Sequence, residues 1–218
     1  MPLVTTLFVA MAAREPEGRD ADYLAWHALD HRPEIHRIPA LRGALRLVST
    51  PACRAARAAS ENPYDPVDHV MTYLFAEPGG VAELGPLAAG LAGAGRMSRR
   101  LPSVEVGTYE LDGTATSPRI EVTADVLPWR PVTGVYLLVE RGAAPAGALS
   151  EVAGVAGAWW GLGDGRQITY CFLDGDPLAT AEGLRPVLAA RWADGGVVPR
   201  LAAPFVVPVD FDWDRHLP

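Results

Sequence analysis

Three of the five histidines of this 218-residue chain fall within residues 21–43, ADYLAWHALDHRPEIHRIPALRG. His27, His31 and His36 stand there among Tyr23, Trp26, Arg32, Glu34 and Arg37. On a helix, His27 and His31 project from one face a turn apart, with Tyr23 one turn before them. An imidazole titrates near neutral pH, so such a stripe can move protons. The same spacing could form half a metal site. The glutamate that follows the first histidine in helical zinc motifs is absent, however, and Glu34 lies beyond Pro33, so no metal is expected. Pro33 also disfavours helical angles at Arg32. The helix should therefore kink or restart near Arg32 and end by Pro39.

Other residues could complete a site. His69 opens a strand whose alternation continues through Met71, Tyr73 and Phe75 on one face. If that face lines a cavity, His69 and Tyr73 approach the first helix and can hydrogen-bond a phenol or enol. Otherwise it is ordinary core, with His69 at a strand end. Tyr64, in Asn62-Pro63-Tyr64-Asp65-Pro66, lies in either a rigid turn or a lid that closes a pocket. Arg32, Arg37 and Arg42 could hold a carboxylate, or they pair locally with Asp30 and Glu34. Trp159 and Trp160 point to opposite faces of a strand, one into core and one into a groove or interface. Gly161-Leu-Gly163-Asp-Gly165 lacks the spacing and setting of a dinucleotide loop. The acidic, aromatic stretch 210–214 reads as a docked tail rather than a calcium loop.

Four short segments recur in the same order, which indicates an internal duplication. Val4–Val9 resembles Val132–Leu137, and Gly43–Leu47 corresponds to Gly157–Gly161. Thr72–Phe75 matches Thr169–Phe172, and Ala82–Ala89 matches Ala181–Ala190. Each half reads strand, helix, strand, strand, helix, strand. The first has strands near 3–13, 43–50, 68–77 and 103–111 and helices near 20–38 and 79–95. The second has strands near 132–141, 156–162, 166–174 and 203–211 and helices near 145–153 and 178–194. Asp164-Gly165 marks a hairpin. That order is a ferredoxin-like β-α-β-β-α-β unit, repeated over 1–112 and 131–218 with a linker at 113–130. The first copy carries extra chain around its first helix and in the loop 51–68. The second has no histidine before His216. Polar chemistry is thus concentrated in the first copy.

Composition narrows the function. Net charge is −7 with scattered basic residues, which argues against nucleic acid or an anionic membrane as partner. A hydrophobic fraction of 49% with 21% charged supports a globular core. No apolar run is long enough to span a bilayer, and the N-terminal run lacks the basic start of a signal peptide. Cys53 and Cys171 show no metal or redox spacing, as expected of reduced thiols in a cytoplasmic protein.

The stretch Tyr23-Leu-Ala-Trp26-His-Ala-Leu-Asp-His31-Arg-Pro33, followed by Ile38-Pro39-Ala-Leu41-Arg-Gly43, resembles the EthD-like branch of the dimeric α+β barrel superfamily. The resemblance covers about 25 residues closely, the rest only by topology, and His31 matches the family histidine. It implies an α+β fold in which two ferredoxin-like repeats pair within one chain as a barrel-like pseudodimer. It also implies a small-molecule enzyme, a cyclase, isomerase or monooxygenase without a bound cofactor, acting on an apolar polyketide-like or aromatic substrate. His31 would carry the proton, assisted by Tyr73 and His69, with Tyr23, Trp26, His27, Tyr64 and Phe75 contacting substrate. The alternative is a non-catalytic ligand-binding or scaffold protein of the same fold. A further homodimer would form only through a face that the intrachain pairing leaves open.

Overall fold

Apolar alternation, two residues per repeat, decides the architecture. The computed structural model describes residues 3–97 and 100–215. In chain order these form β1 (Thr6–Ala12), α1 (Asp20–Trp26), a π-helical turn (His27–His31), α2 (Arg32–Ile35) and β2 (Leu41–Val48). There follow α3 (Pro51–Ala55), β3 (Ala59–Ser60), β4 (His69–Phe75), a 3-10 turn (Pro78–Glu83) running into α4 (Leu84–Gly93), and β5 (Ser103–Thr116). A second 3-10 turn (Ala124–Trp129) leads to β6 (Gly134–Arg141), a third (Gly147–Glu151), β7 (Val155–Gly163), β8 (Arg166–Leu173), α5 (Pro177–Ala193) and β9 (Val198–Val206).

The strands lie in the order β2-β4-β1-β5-β7-β8-β6-β9, and β9 returns to β2 at Val48↔Val206. All of these pairings are antiparallel, so the sheet closes as an eight-stranded barrel with β3 attached to β9. Numbered within its half, each set of four strands runs second, third, first, fourth: β2-β4-β1-β5, then β7-β8-β6-β9. The fourth strand of each half meets the second strand of the other.

One face of every strand fills the barrel. Leu7, Val9 and Met11 of β1 pack there with Val70 and Leu74 of β4, Leu137 of β6, Trp159 of β7 and Phe172 of β8. Burying each such side chain contributes about 1.5–3 kcal/mol. The side chains pack closely there, and a void between Leu7, Trp159, Tyr170 and Phe172 has only about 10 Å³. The opposite faces carry two outer layers. In the first half, Met71, Tyr73 and Phe75 pack with Ile35 and Ile38 beneath the first helical segment. In the second, Tyr136, Leu138 and Cys171 pack under α5 through Leu184 and Leu188.

Several boundaries differ from expectation. The helix does not break at Arg32; its backbone stays helical through Pro33, and the ladder widens one turn earlier into the π turn. It ends at Ile35, before Pro39. The second helix of the first half begins as a 3-10 turn, and the region 145–153 forms only a 3-10 turn. The last strand lies at Val198–Val206 rather than 203–211, because Pro199 sits where the register with β6 shifts, a place where a strand tolerates proline. Residues 113–116 extend β5, and Leu127 from the following 3-10 turn is buried in the barrel core. The loop 51–68 is tied to the other half through β3 and β9. Among the described residues, no helix is long and apolar enough to cross a membrane.

Candidate active site

Pro33 shapes the helical side of the site. It has no N–H to offer the carbonyl of Leu29, four residues back, and its ring crowds that oxygen. The helix widens just before it, and the Arg32 N–H reaches the His27 carbonyl five residues back. π turns of this kind occur frequently at functional sites. This one holds both histidines on the sheet-facing side, their ring centroids 5.4 Å apart. His31 stacks on Trp26 at 4.9 Å, and Trp26 Nε1 donates to the Arg96 carbonyl at 3.0 Å, fixing the turn to the end of α4. The Arg96 side chain also pairs with Asp30 and Glu34 at 2.8 Å each.

The sheet supplies the other wall. Tyr73 on β4 lies opposite Phe8 of β1 and Ala44 of β2, and its hydroxyl is 3.1 Å from His27 Nε2. Two residues earlier, Met71 lies opposite Arg46 of β2. At the strand's start, His69 Nε2 donates to Asp20 Oδ1 at 2.7 Å. Asp20, the first residue of α1, also accepts the Glu15 N–H at 3.1 Å. The pair clamps the helix onto the sheet. Tyr23 bridges the two layers, its ring 6.0 Å from His27 and 6.4 Å from His69. The Arg46 guanidinium lies 5.4 Å from the centre of the Tyr23 ring.

Between these walls is an open cavity of about 270 Å³, just under the size usual for small-molecule sites, about 300–1,000 Å³. Tyr23, Trp26, His27, His31, Arg46 and Tyr73 line it, with Phe8, Met71 and Val106 adding apolar surface and Met97 and Arg100 beside them. Burial dominates its electrostatics. It pushes His27 far below the ordinary imidazole value, helped by the charge of Arg46. His31 is lowered by its partial burial and by Arg46, against the opposing pull of Asp30. Burial raises the Tyr73 phenol, which keeps its proton. His69 is also held low by burial, despite its bond to Asp20. Burial works against the Asp20 carboxylate, but the bonds from His69 and Glu15 keep its value down. Around neutral pH the cavity thus presents neutral imidazoles and a protonated phenol.

Of the residues expected to form a site, the fold brings together His31, His27, Tyr73, Tyr23 and Trp26, with His69 behind Tyr23. Two lie elsewhere. Tyr64 is not a lid: it is buried in the barrel core, and its hydroxyl accepts from Arg166 Nη1 at 3.0 Å. Phe75 is on the correct face but fully buried in the layer beneath the helical segment, so it supports the cavity without lining it. His36 is exposed, and His216 falls outside the described residues. Arg37 pairs with Glu34 at the surface and Arg42 bonds the Pro39 carbonyl, so neither enters the cavity. The sequence reading missed Asp20 and Arg46. The signal for Arg46 was a charge between Leu45 and Leu47 in an apolar strand, out of phase with the barrel-facing residues. Among the described residues, no group of three or more His, Cys, Asp or Glu could hold a metal.

No protein-family model matches the chain. No curated protein matches it either. Solved structures do. A candidate monooxygenase from Fusobacterium nucleatum subsp. nucleatum ATCC 25586 superposes with a TM-score of 0.50 at 8% identity, covering 94% of this chain and 93% of that one. An anthrone oxidase-like protein gives 0.47 at 14% identity over 95% and 94% of the two chains. A candidate monooxygenase from Lactobacillus acidophilus NCFM gives 0.45 at 11% identity over 93% and 96%. The first of these likenesses shows a shared fold along nearly the whole chain and says nothing of the reaction.

Proposed function

We propose that this chain is a small-molecule enzyme that removes a proton from an apolar, enolisable aromatic or polyketide-like substrate, with His31 as the base. The observation that carries this reading is the open cavity lined by both the half-buried imidazole of His31 and the phenol of Tyr73. A base must be deprotonated at working pH, and the lowered value of His31 meets that need. Tyr73, coupled to His27, is the hydrogen-bond donor that receives the substrate oxygen as charge develops on it. His69 with Asp20 is a positioning pair, holding α1 and Tyr23 against the sheet. The resulting enolate can cyclise, be reprotonated elsewhere as an isomer, or react with dioxygen. The Fusobacterium fold neighbour, named a candidate monooxygenase, is the reason to test the last of these first.

The same reading takes the molecule as a tandem duplication of a ferredoxin-like unit, a pseudodimer of the EthD-like kind. The identical strand order in both halves and their reciprocal junctions support this. One copy kept the site. Its counterpart, with a 3-10 turn in place of the histidine-bearing helix, completes the barrel. The buried, unpaired Cys53 and Cys171 suit a cytoplasmic setting.

Anthrone, a tricyclic ketone with acidic methylene protons, is a suitable probe. Its oxidation consumes one dioxygen and yields anthraquinone and water. Wild type should accelerate quinone formation over buffer, and His31→Ala, with an unchanged thermal melt, should lose about 10²–10⁴-fold of that acceleration. An unchanged rate in a folded His31→Ala variant overturns the proposal.

A further inference from the structure

We infer that the ligand of this cavity carries a carboxylate on its aromatic or polyketide-like body, and that Arg46 binds it. This rests on the reading of the cavity as a ligand site and adds the charge of the ligand. Arg46 is 8% exposed, and its Nε is buried with no hydrogen-bond partner. Among the described residues its one side-chain hydrogen bond is a long one, Nη2 donating to the Tyr23 hydroxyl at 3.4 Å. No described carboxylate pairs with it.

Among the described residues, the other deeply buried arginines each have a carboxylate within 4 Å, although Arg57 Nε is also without a hydrogen-bond partner. Arg191 makes two bonds to Glu140, and Arg57 lies 3.8 Å from Asp68. A guanidinium taken from water without an anion is costly to keep for stability alone. Here it opens onto a cavity whose lining, among the described residues, includes a second arginine, Arg100, and no Asp or Glu, while a smaller pocket on the other side of Arg46 has the exposed Asp210 in its lining without an ion pair between the two. The under-bonded guanidinium matches a carboxylate, which can accept two parallel N–H bonds. Apolar walls on the Phe8 and Val106 side receive the ring system, so the ligand is amphiphilic.

Calorimetric titration of the full chain with 2-naphthoate and with its neutral analogue 2-naphthalenemethanol, at pH 7, tests this. Wild type should bind the acid at least about tenfold more tightly than the alcohol. Arg46→Met should bring the two within about twofold, chiefly by loss of affinity for the acid, and Arg46→Lys should restore part of the preference. Equal binding of both compounds by wild type overturns the carboxylate site and leaves the ligand cavity standing, and this arm decides even if Arg46→Met fails to fold. A preference retained in folded Arg46→Met also overturns it. If wild type binds neither compound, the cavity reading and the carboxylate site fall together.

Discussion

His27 and His31 differ by one turn of chain and by what surrounds them. His27 is buried against the sheet with its Nε2 committed to Tyr73, whereas His31 is half-buried and stacks on Trp26 at the cavity wall. The first is suited to holding Tyr73 in place, the second to exchanging a proton with a ligand. Because burial and Arg46 lower His31, the base form persists below the ordinary value of about 6.5. The acid limb of kcat/KM for anthrone should therefore fall below pH 6.5, and Arg46→Met should move it upward. Stability should follow the same groups. His27, His31 and His69 have folded values below their unfolded ones, so the unfolded chain takes up more protons as pH drops. Stability is then fully present above about 6.5 and is lost as pH falls through the folded values. Tm should drop between pH 7 and 5, and less steeply in His27→Gln. Tyr73→Phe removes a buried hydrogen bond worth about 1 kcal/mol, a Tm loss of about 2–4 °C. The histidines and Tyr73 were legible because their spacing carries chemistry. Arg46 and Asp20 were not, because their roles come from long-range contacts with Tyr23 and His69.

The helical segment is the element on which the site depends. Sequence located the disturbance correctly but gave it the wrong form: Pro33 widens the preceding turn instead of breaking the helix. A missing N–H can be absorbed in either way, and the choice depends on the sheet beneath, which local sequence does not encode. Pro33→Ala would restore the donor and allow a regular ladder. The expected result is an unchanged or slightly higher Tm together with at least a tenfold fall in anthrone turnover, as His31 rotates out of the cavity wall. Full turnover in this variant would show that the π turn is incidental. Strand alternation was the more reliable guide. Trp159 points into the barrel and donates to the Ala124 carbonyl, while Trp160 faces outward and donates to Asp112. The Asp164-Gly165 hairpin has positive φ at both residues, as its composition demands. The Tyr64 loop misled because paired prolines signal rigidity without saying what they rigidify.

At the scale of the molecule, a closed and filled barrel leaves chemistry to its outer layers. Its interior is packed closely around Trp159, Tyr170 and Phe172, so the interior is structural. Trp159→Ala should cost about 3–5 kcal/mol, read as a lower urea midpoint, while 2-naphthoate affinity at the cavity stays within about twofold. The asymmetry between halves was visible in the histidine distribution and in loop length. The barrel was legible only through the family resemblance, since its closure depends on the contact of β2 with β9, whose residues are far apart in sequence.

The central claim, that His31 removes a proton from a ligand held on the outer face of the first half, is tested most directly without oxygen. Anaerobic deuterium exchange of the anthrone methylene protons in D₂O, followed by proton NMR, isolates that step from all later chemistry. Exchange should run well above buffer for wild type and return to near the buffer rate for folded His31→Ala. Equal exchange by the two proteins, or none above buffer in wild type, would contradict it.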